Sequence, residues 1–195
     1  MSGYGVKRSE GKSNPIIITK DNAIARGRYI KNIEYRKTDK AEFLTIEVRD
    51  KDGNTARKSY FPPKLGSGFV QTKELLEKEE RKLNGVMTNL TEVLISKKYE
   101  TGPVSSFEEF CKKIIADVGK AYYDKELRIK LIYDSKNRPT LPAFPLIFED
   151  PSLVSDENTR LKISDRDRVE PVVVKMDEDI PPVATTPIEE NDLPF

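Results

Sequence analysis

The chain has no histidine and only one cysteine, Cys111, among its 195 residues. Without an imidazole or a second thiol it cannot assemble the usual zinc sites, a Ser-His-Asp triad or a Cys-His pair. One cysteine also leaves no internal disulfide framework. Cys111 lies among Phe107, Phe110, Ile114 and Ile115 at helical spacing, so it reads as a core residue and not a nucleophile. Long apolar runs are missing as well, and none approaches the length that crosses a bilayer. Met1–Ser13 is rich in Gly, Ser and Lys/Arg and has no apolar segment of the kind a secretory signal needs. The expectation is a soluble, cytoplasmic, non-enzymatic protein with no membrane contact, no metal and no cofactor.

Charge is abundant but unevenly placed. The net charge is +1, yet residues 177–195 hold six of the 33 acids and no Lys or Arg, so 27 acids and all 34 bases fall before them. A basic body suits polyanion binding, and an acidic tail can fold back on that body or recruit a basic partner.

The order of elements comes from periodicity. Ile16, Ile17 and Ile18 suggest a short edge strand after a flexible basic arm, residues 1–14. Residues 27–37 mix aromatic, β-branched and charged side chains, as a strand with one wet face does. Thr38, Asp39 and Lys40 make a turn. Residues 41–50 then alternate, with Leu44, Ile46 and Val48 on one face and Phe43, Thr45, Glu47 and Arg49 on the other. Asp50 to Gly53 leads into a third strand, residues 54–61. A two-residue Asp-Gly loop and a type I turn with a glycine bulge both fit. The bulged form is preferred, because it sets Val48 beside Ala56, Glu47 beside Arg57 and Phe43 beside Phe61.

Pro62, Pro63 and Gly66-Ser67-Gly68 end this meander. A helix is predicted over 71–95, with Gly85 as a point of kinking, and a second from Ser106 to about Tyr123, opened by a capping box at Ser106-Phe107-Glu108-Glu109. Residues 126–134 return to strand alternation. Pro142 and Pro145 restrict 141–149 to an edge or interrupted strand, and Arg160–Ile163 is a candidate last strand.

Three strands, two helices and a hairpin predict a mainly β, α+β fold. We expect a five-stranded OB-fold barrel over residues 15–170, with a helical insertion at 70–124 between the third and fourth strands and a disordered acidic tail at 171–195. Such a barrel binds a single strand with a cationic groove and aromatic faces, each stacked base contributing about 1–3 kcal/mol. The candidates for that contact are Arg28, Tyr29, Lys31, Tyr35, Arg36, Lys37, Phe43, Arg49, Arg57, Lys58, Tyr60, Phe61, Lys64, Arg128 and Lys130. Glu42, Glu47, Asp50 and Asp52 raise the alternative of a metal-dependent nuclease, without any paired Lys motif to support it.

The last residues add a second signal. Glu189, Glu190 and Asp192 lead into Leu193, Pro194 and Phe195, so acid, stiff backbone and an apolar ring share one segment. This ending resembles that of single-stranded DNA-binding proteins of bacteria and their phages. Asp177-Glu178-Asp179-Ile180-Pro181 is an internal echo without the Phe. The resemblance implies an OB-fold body that coats single-stranded DNA with little sequence preference during replication, recombination or repair, inside a bacterial host cell. It also implies that the tip docks replication and repair proteins, with Phe195 entering an apolar pocket and basic residues taking its carboxylate. Two departures, the lack of a long Gly/Gln-rich linker and the helical insertion, point to a divergent phage-type member. Self-association is compatible with this reading. The rival expectation is a protein-interaction adaptor, in phage assembly or regulation, whose tail is functional and whose barrel is scaffold; it would bury Tyr29, Phe43 and Phe61.

Overall fold

The computed structural model describes residues 13–68 and 70–171. The acidic tip and nearly all of the basic arm therefore lie outside the described residues.

Three strands come first: β1 (Ile24–Lys37), β2 (Glu42–Arg49) and β3 (Thr55–Tyr60). Two helices follow, α1 (Lys73–Ile95) and α2 (Phe107–Val118), and then four short strands, β4 (Leu127–Lys130), β5 (Ile132–Tyr133), β6 (Pro139–Thr140) and β7 (Phe148–Glu149). The main sheet is antiparallel with order β3-β2-β1-β4-β7, and β5 pairs with β6 in a separate two-stranded sheet. The protein is thus α+β, with both helices between the third and fourth strands as expected.

β1 is shared by two ladders. Its start pairs with β4, Ala25 opposite Ile129, and its remainder pairs with β2, from Tyr29 opposite Arg49 to Lys37 opposite Glu42. Gly27 sits at the changeover with φ +72°, and its N–H donates to Glu126 Oε1 at 3.0 Å. A left-handed residue there turns the strand, and only glycine adopts it without strain.

The expected closed barrel is not what forms. No ladder joins β3 to β7 among the described residues. The outer edge of β3 is instead occupied by the chain's own start: Thr55 N donates to Asn14 O at 2.8 Å and Ile16 N to Thr55 O at 3.0 Å. Thr140 Oγ1 donates to Arg57 O, and Tyr60 Oη to Pro142 O. Side chains thus tether the 139–142 segment where a continuous strand would have closed the sheet, and Pro142 and Pro145 have no N–H to give. Arg160–Ile163 is not a strand either. Glu149 draws this segment in by accepting from Thr159 Oγ1 and Arg160 N.

The core lies between the sheet and the two helices. Leu44, Ile46 and Val48 of β2 and Ile30 and Ile33 of β1 are buried with Leu90 and Met87 of α1 and Ile114 and Cys111 of α2. Burial pushes the Cys111 thiol up to about 12, as suits a packing residue. α1 runs unbroken through Gly85. A Cβ there would lie 3.1 Å from Pro145 Cβ, so this glycine permits a close approach and does not kink the helix. α2 stops at Val118, where Gly119 takes φ +53°, short of the expected Tyr123. Ser106 caps α2 by accepting from Glu109 N, but Glu109 returns its carboxylate to Ser105, one residue earlier than a capping box would have it.

Candidate nucleic-acid interface

The outward side of the meander is set by one turn. Asp50 N donates to Asn54 O at 3.0 Å, and the Asp50 carboxylate accepts from Asp52 N, Asn54 N and Asn54 Nδ2. Gly53 carries the positive φ of the bulge, +83°. The preferred register therefore holds: Val48 opposes Ala56, Glu47 opposes Arg57 and Leu44 opposes Tyr60.

Because side chains alternate, Phe43, Thr45, Glu47 and Arg49 all face away from the core. On β1 their neighbours are Arg36, Glu34, Asn32 and Tyr29, and on β3 Glu47, Thr45 and Arg49 meet Arg57, Ser59 and Thr55. Two aromatic stations result. Near the Asp50 turn the Arg49 guanidinium carbon lies 4.6 Å from the Tyr29 ring centroid. At the other end the Phe43 and Phe61 rings are 5.4 Å apart, tilted by 47°. Six steps along β2 separate Arg49 from Phe43, about 20 Å at strand rise.

Between the stations the surface is polar and carries both signs of charge. Thr45 Oγ1 and Ser59 Oγ are 3.1 Å apart, Lys31 reaches Glu47 at 3.1 Å and Arg36 reaches Glu34 at 2.8 Å. The hydrogen bond from Arg36 holds the Glu34 carboxyl below its usual range. Arg57 is exposed and makes no ion pair among the described residues.

Of the fifteen expected contacts, the structure brings Tyr29, Lys31, Arg36, Phe43, Arg49, Arg57 and Phe61 to this side. Tyr35 turns inward, with its ring 6.2 Å from Phe107 and its hydroxyl donating to Glu42 at 2.8 Å. Lys37 goes to Glu108 of α2 at 3.2 Å. Lys58 and Tyr60 share the inward side of β3 with Ala56, Tyr60 being buried. Lys64 lies exposed in the loop after β3.

Three cations are tied into the fold, Arg28 and Arg128 buried and Lys130 half-buried. Arg28 is buried and donates to the carbonyls of Ala23, Ile129 and Asn22; burial pushes its guanidinium down to about 10, still charged at neutral pH. Arg128 is buried against Glu149 at 2.8 Å and also bonds Asp156. Lys130 pairs with Asp167 at 2.6 Å and donates to Lys162 O. These side chains are engaged in bonds that hold the fold.

Three of the four nuclease candidates have separate roles. Glu42 accepts from Tyr35, Glu47 pairs with Lys31 and the Asp50 carboxylate is committed to its turn. Among the described residues, no group of three or more His, Cys, Asp or Glu could hold a metal ion. No helix among them is long and apolar enough to cross a membrane. Glu189, Glu190, Asp192, Leu193, Pro194 and Phe195 lie outside the described residues. What the sequence did not reveal is the Tyr29–Arg49 contact, which depends on a bulge between Ile30 and Asn32 that aligns the two residues. A scan against protein-family models and a search of curated proteins each found no match to this chain.

Proposed function

We propose that the protein binds and coats single-stranded DNA along the outward side of β1, β2 and β3, with little regard for sequence, in replication, recombination or repair. The observation that carries this reading is the placement of two aromatic stations, Tyr29–Arg49 and Phe43–Phe61, on one solvent-facing side with cations between them. Stacking on such stations tolerates any base, and phosphates supply the charge for Lys31, Arg36 and Arg57. Phe61 is 56% exposed and Tyr29 and Phe43 are half-buried, so none of the three is core as the adaptor reading would have it. The long shared β1, with helices between the third and fourth strands, supports an open, OB-type module. The acidic segment Glu189–Phe195 is proposed to recruit replication or repair proteins from the host cytoplasm.

Titration of a fluorescent oligothymidine and a matched duplex at two salt concentrations tests this. The single strand is expected to bind tighter, with an affinity that falls steeply as salt rises. Equal binding of strand and duplex at low salt would overturn the proposal.

A further inference from the structure

At the turn end of this surface, one face of the Tyr29 ring is already taken. Arg49, directly opposite on β2, lays its guanidinium carbon 4.6 Å from the ring centroid. The acids nearest in sequence do not draw it away. Glu47 is committed to Lys31 at 3.1 Å, and the Asp50 carboxylate accepts three bonds within its own turn. Arg49 makes no ion pair among the described residues. A guanidinium is planar, has two stacking faces and carries its N–H donors around the rim. With its guanidinium carbon over the Tyr29 ring and no ion pair holding it among the described residues, half-buried Arg49 has a planar group and rim donors not committed to an acid.

We infer that Arg49, and not the Tyr29 ring, is the base-stacking surface at this end, with Tyr29 the positioning residue that holds the guanidinium flat. The inference rests on the single-stranded DNA reading above and names which group of that surface meets a base. One residue then does two things: its plane stacks on a base while its N–H rim donates to the neighbouring phosphate. Lysine would keep the charge and lose the plane, so Arg49→Lys separates the two roles.

The test uses the full chain and two labelled probes of equal length and charge, an oligothymidine and an abasic oligomer. The wild type is expected to prefer oligothymidine. Arg49→Lys is expected to lose about 5-fold or more on oligothymidine, the low end for one stacked base, while its affinity for the abasic strand and its salt slope stay near wild type. Tyr29→Leu should show the same pattern, Tyr29→Phe should not, and the double variant should be no weaker than the weaker single one, because both remove one stack. Melting curves confirm that each variant is folded. If Arg49→Lys binds both probes as the wild type does, or loses equally on both, Arg49 is only a cation and the inference falls. If Arg49→Lys binds oligothymidine tighter while Tyr29→Leu weakens it, the ring itself is the platform and the inference again falls. A wild type that binds oligothymidine no better than duplex overturns the functional reading first, and this inference with it.

Discussion

The side chain of Asn89, in the C-terminal half of α1, closes on both sides of Phe148 in β7. Its Oδ1 accepts from Phe148 N at 3.0 Å and from Ile147 N at 2.9 Å, and its Nδ2 donates to Phe148 O at 3.1 Å. A two-residue strand has little pairing of its own, so these buried bonds fix where β7 begins. Asn89→Ala would leave three buried backbone groups without partners. We expect a loss of about 3 kcal/mol, which lowers the melting temperature by roughly 6–12 °C. A shift under about 2 °C in a thermal melt would show that the brace is dispensable.

Gly27 offers a second stability test with a separable cause. An added Cβ would fall 2.5 Å from Lys51 Cε, but φ is also +72°. The Lys51 end is flexible and can swing away, whereas the backbone cannot change without undoing the β1 changeover. Gly27→Ala should therefore cost about 1–2 kcal/mol from the left-handed conformation, and adding Lys51→Ala should not restore it. Full rescue in denaturant titrations would assign the cost to the clash.

Two adjacent residues, Tyr60 at the end of β3 and Phe61 just beyond it, should behave oppositely. Phe61 is exposed and belongs to the outward station, while the buried Tyr60 donates its hydroxyl to Pro142 O at 3.2 Å. Phe61→Ala is expected to weaken oligothymidine binding by about 5- to 150-fold, the value of one stacked base, with little change in melting. Tyr60→Phe should leave binding intact and cost about 1 kcal/mol of stability. The reverse pattern would place the ligand on the other side of the sheet.

Acid should unfold the protein through its second half. Burial pushes the Glu149 carboxyl upward, but bonds from Thr159, Arg128 and the Arg160 amide outweigh it and hold it below the usual range. Asp150 and Asp167 follow the same pattern, burial opposing and Lys125 or Lys130 prevailing. Their folded pKa values lie under the unfolded ones, so the unfolded chain takes up protons first as pH falls. Their contribution is complete above the ordinary carboxylate range, about pH 4, and is lost progressively below it. Denaturant midpoints should fall as pH drops through that window. Glu149→Gln should be weaker at neutral pH and respond less to acid; an unchanged acid response would remove Glu149 from this account.

Deleting residues 177–195 is expected to preserve or raise oligothymidine affinity, because six acids that compete with phosphate leave with them. Capture of replication or repair proteins in a pull-down should be lost. Undiminished capture would reject the tail as the recruiting element.

Legibility in the sequence followed locality. The β2–β3 register could be read because Asp50, Gly53 and the alternation of Leu44, Ile46 and Val48 lie within a few residues of one another, and the Phe43–Phe61 pair came with it. Ser106 announced α2 for the same reason. Arg28, Arg128 and Lys130 read as surface cations in the sequence, whereas distant residues help to hold each of them: Ile129, beside the local Ala23 and Asn22, for Arg28, Glu149 and Asp156 for Arg128, and Asp167 for Lys130. Periodicity reports that a residue is charged, not that a distant carboxylate has come to meet it. The open sheet was illegible too, since it depends on residues 14–16 lying along β3, a pairing that no local pattern encodes.

The two ladders of β1 differ in when they can form. Tyr29 and Arg49 are neighbours across one short loop, but Ala25 and Ile129 are separated by about a hundred residues, a separation that slows pairing. During synthesis at about 5–20 residues per second, the start of β1 waits roughly 5–20 s for β4 to leave the ribosome. Over that interval Ile24–Arg28 is an open strand edge. An inward-pointing charge is one device that keeps such an edge from pairing with another chain, and Arg28 provides it until the carbonyl of Ile129 arrives to receive it.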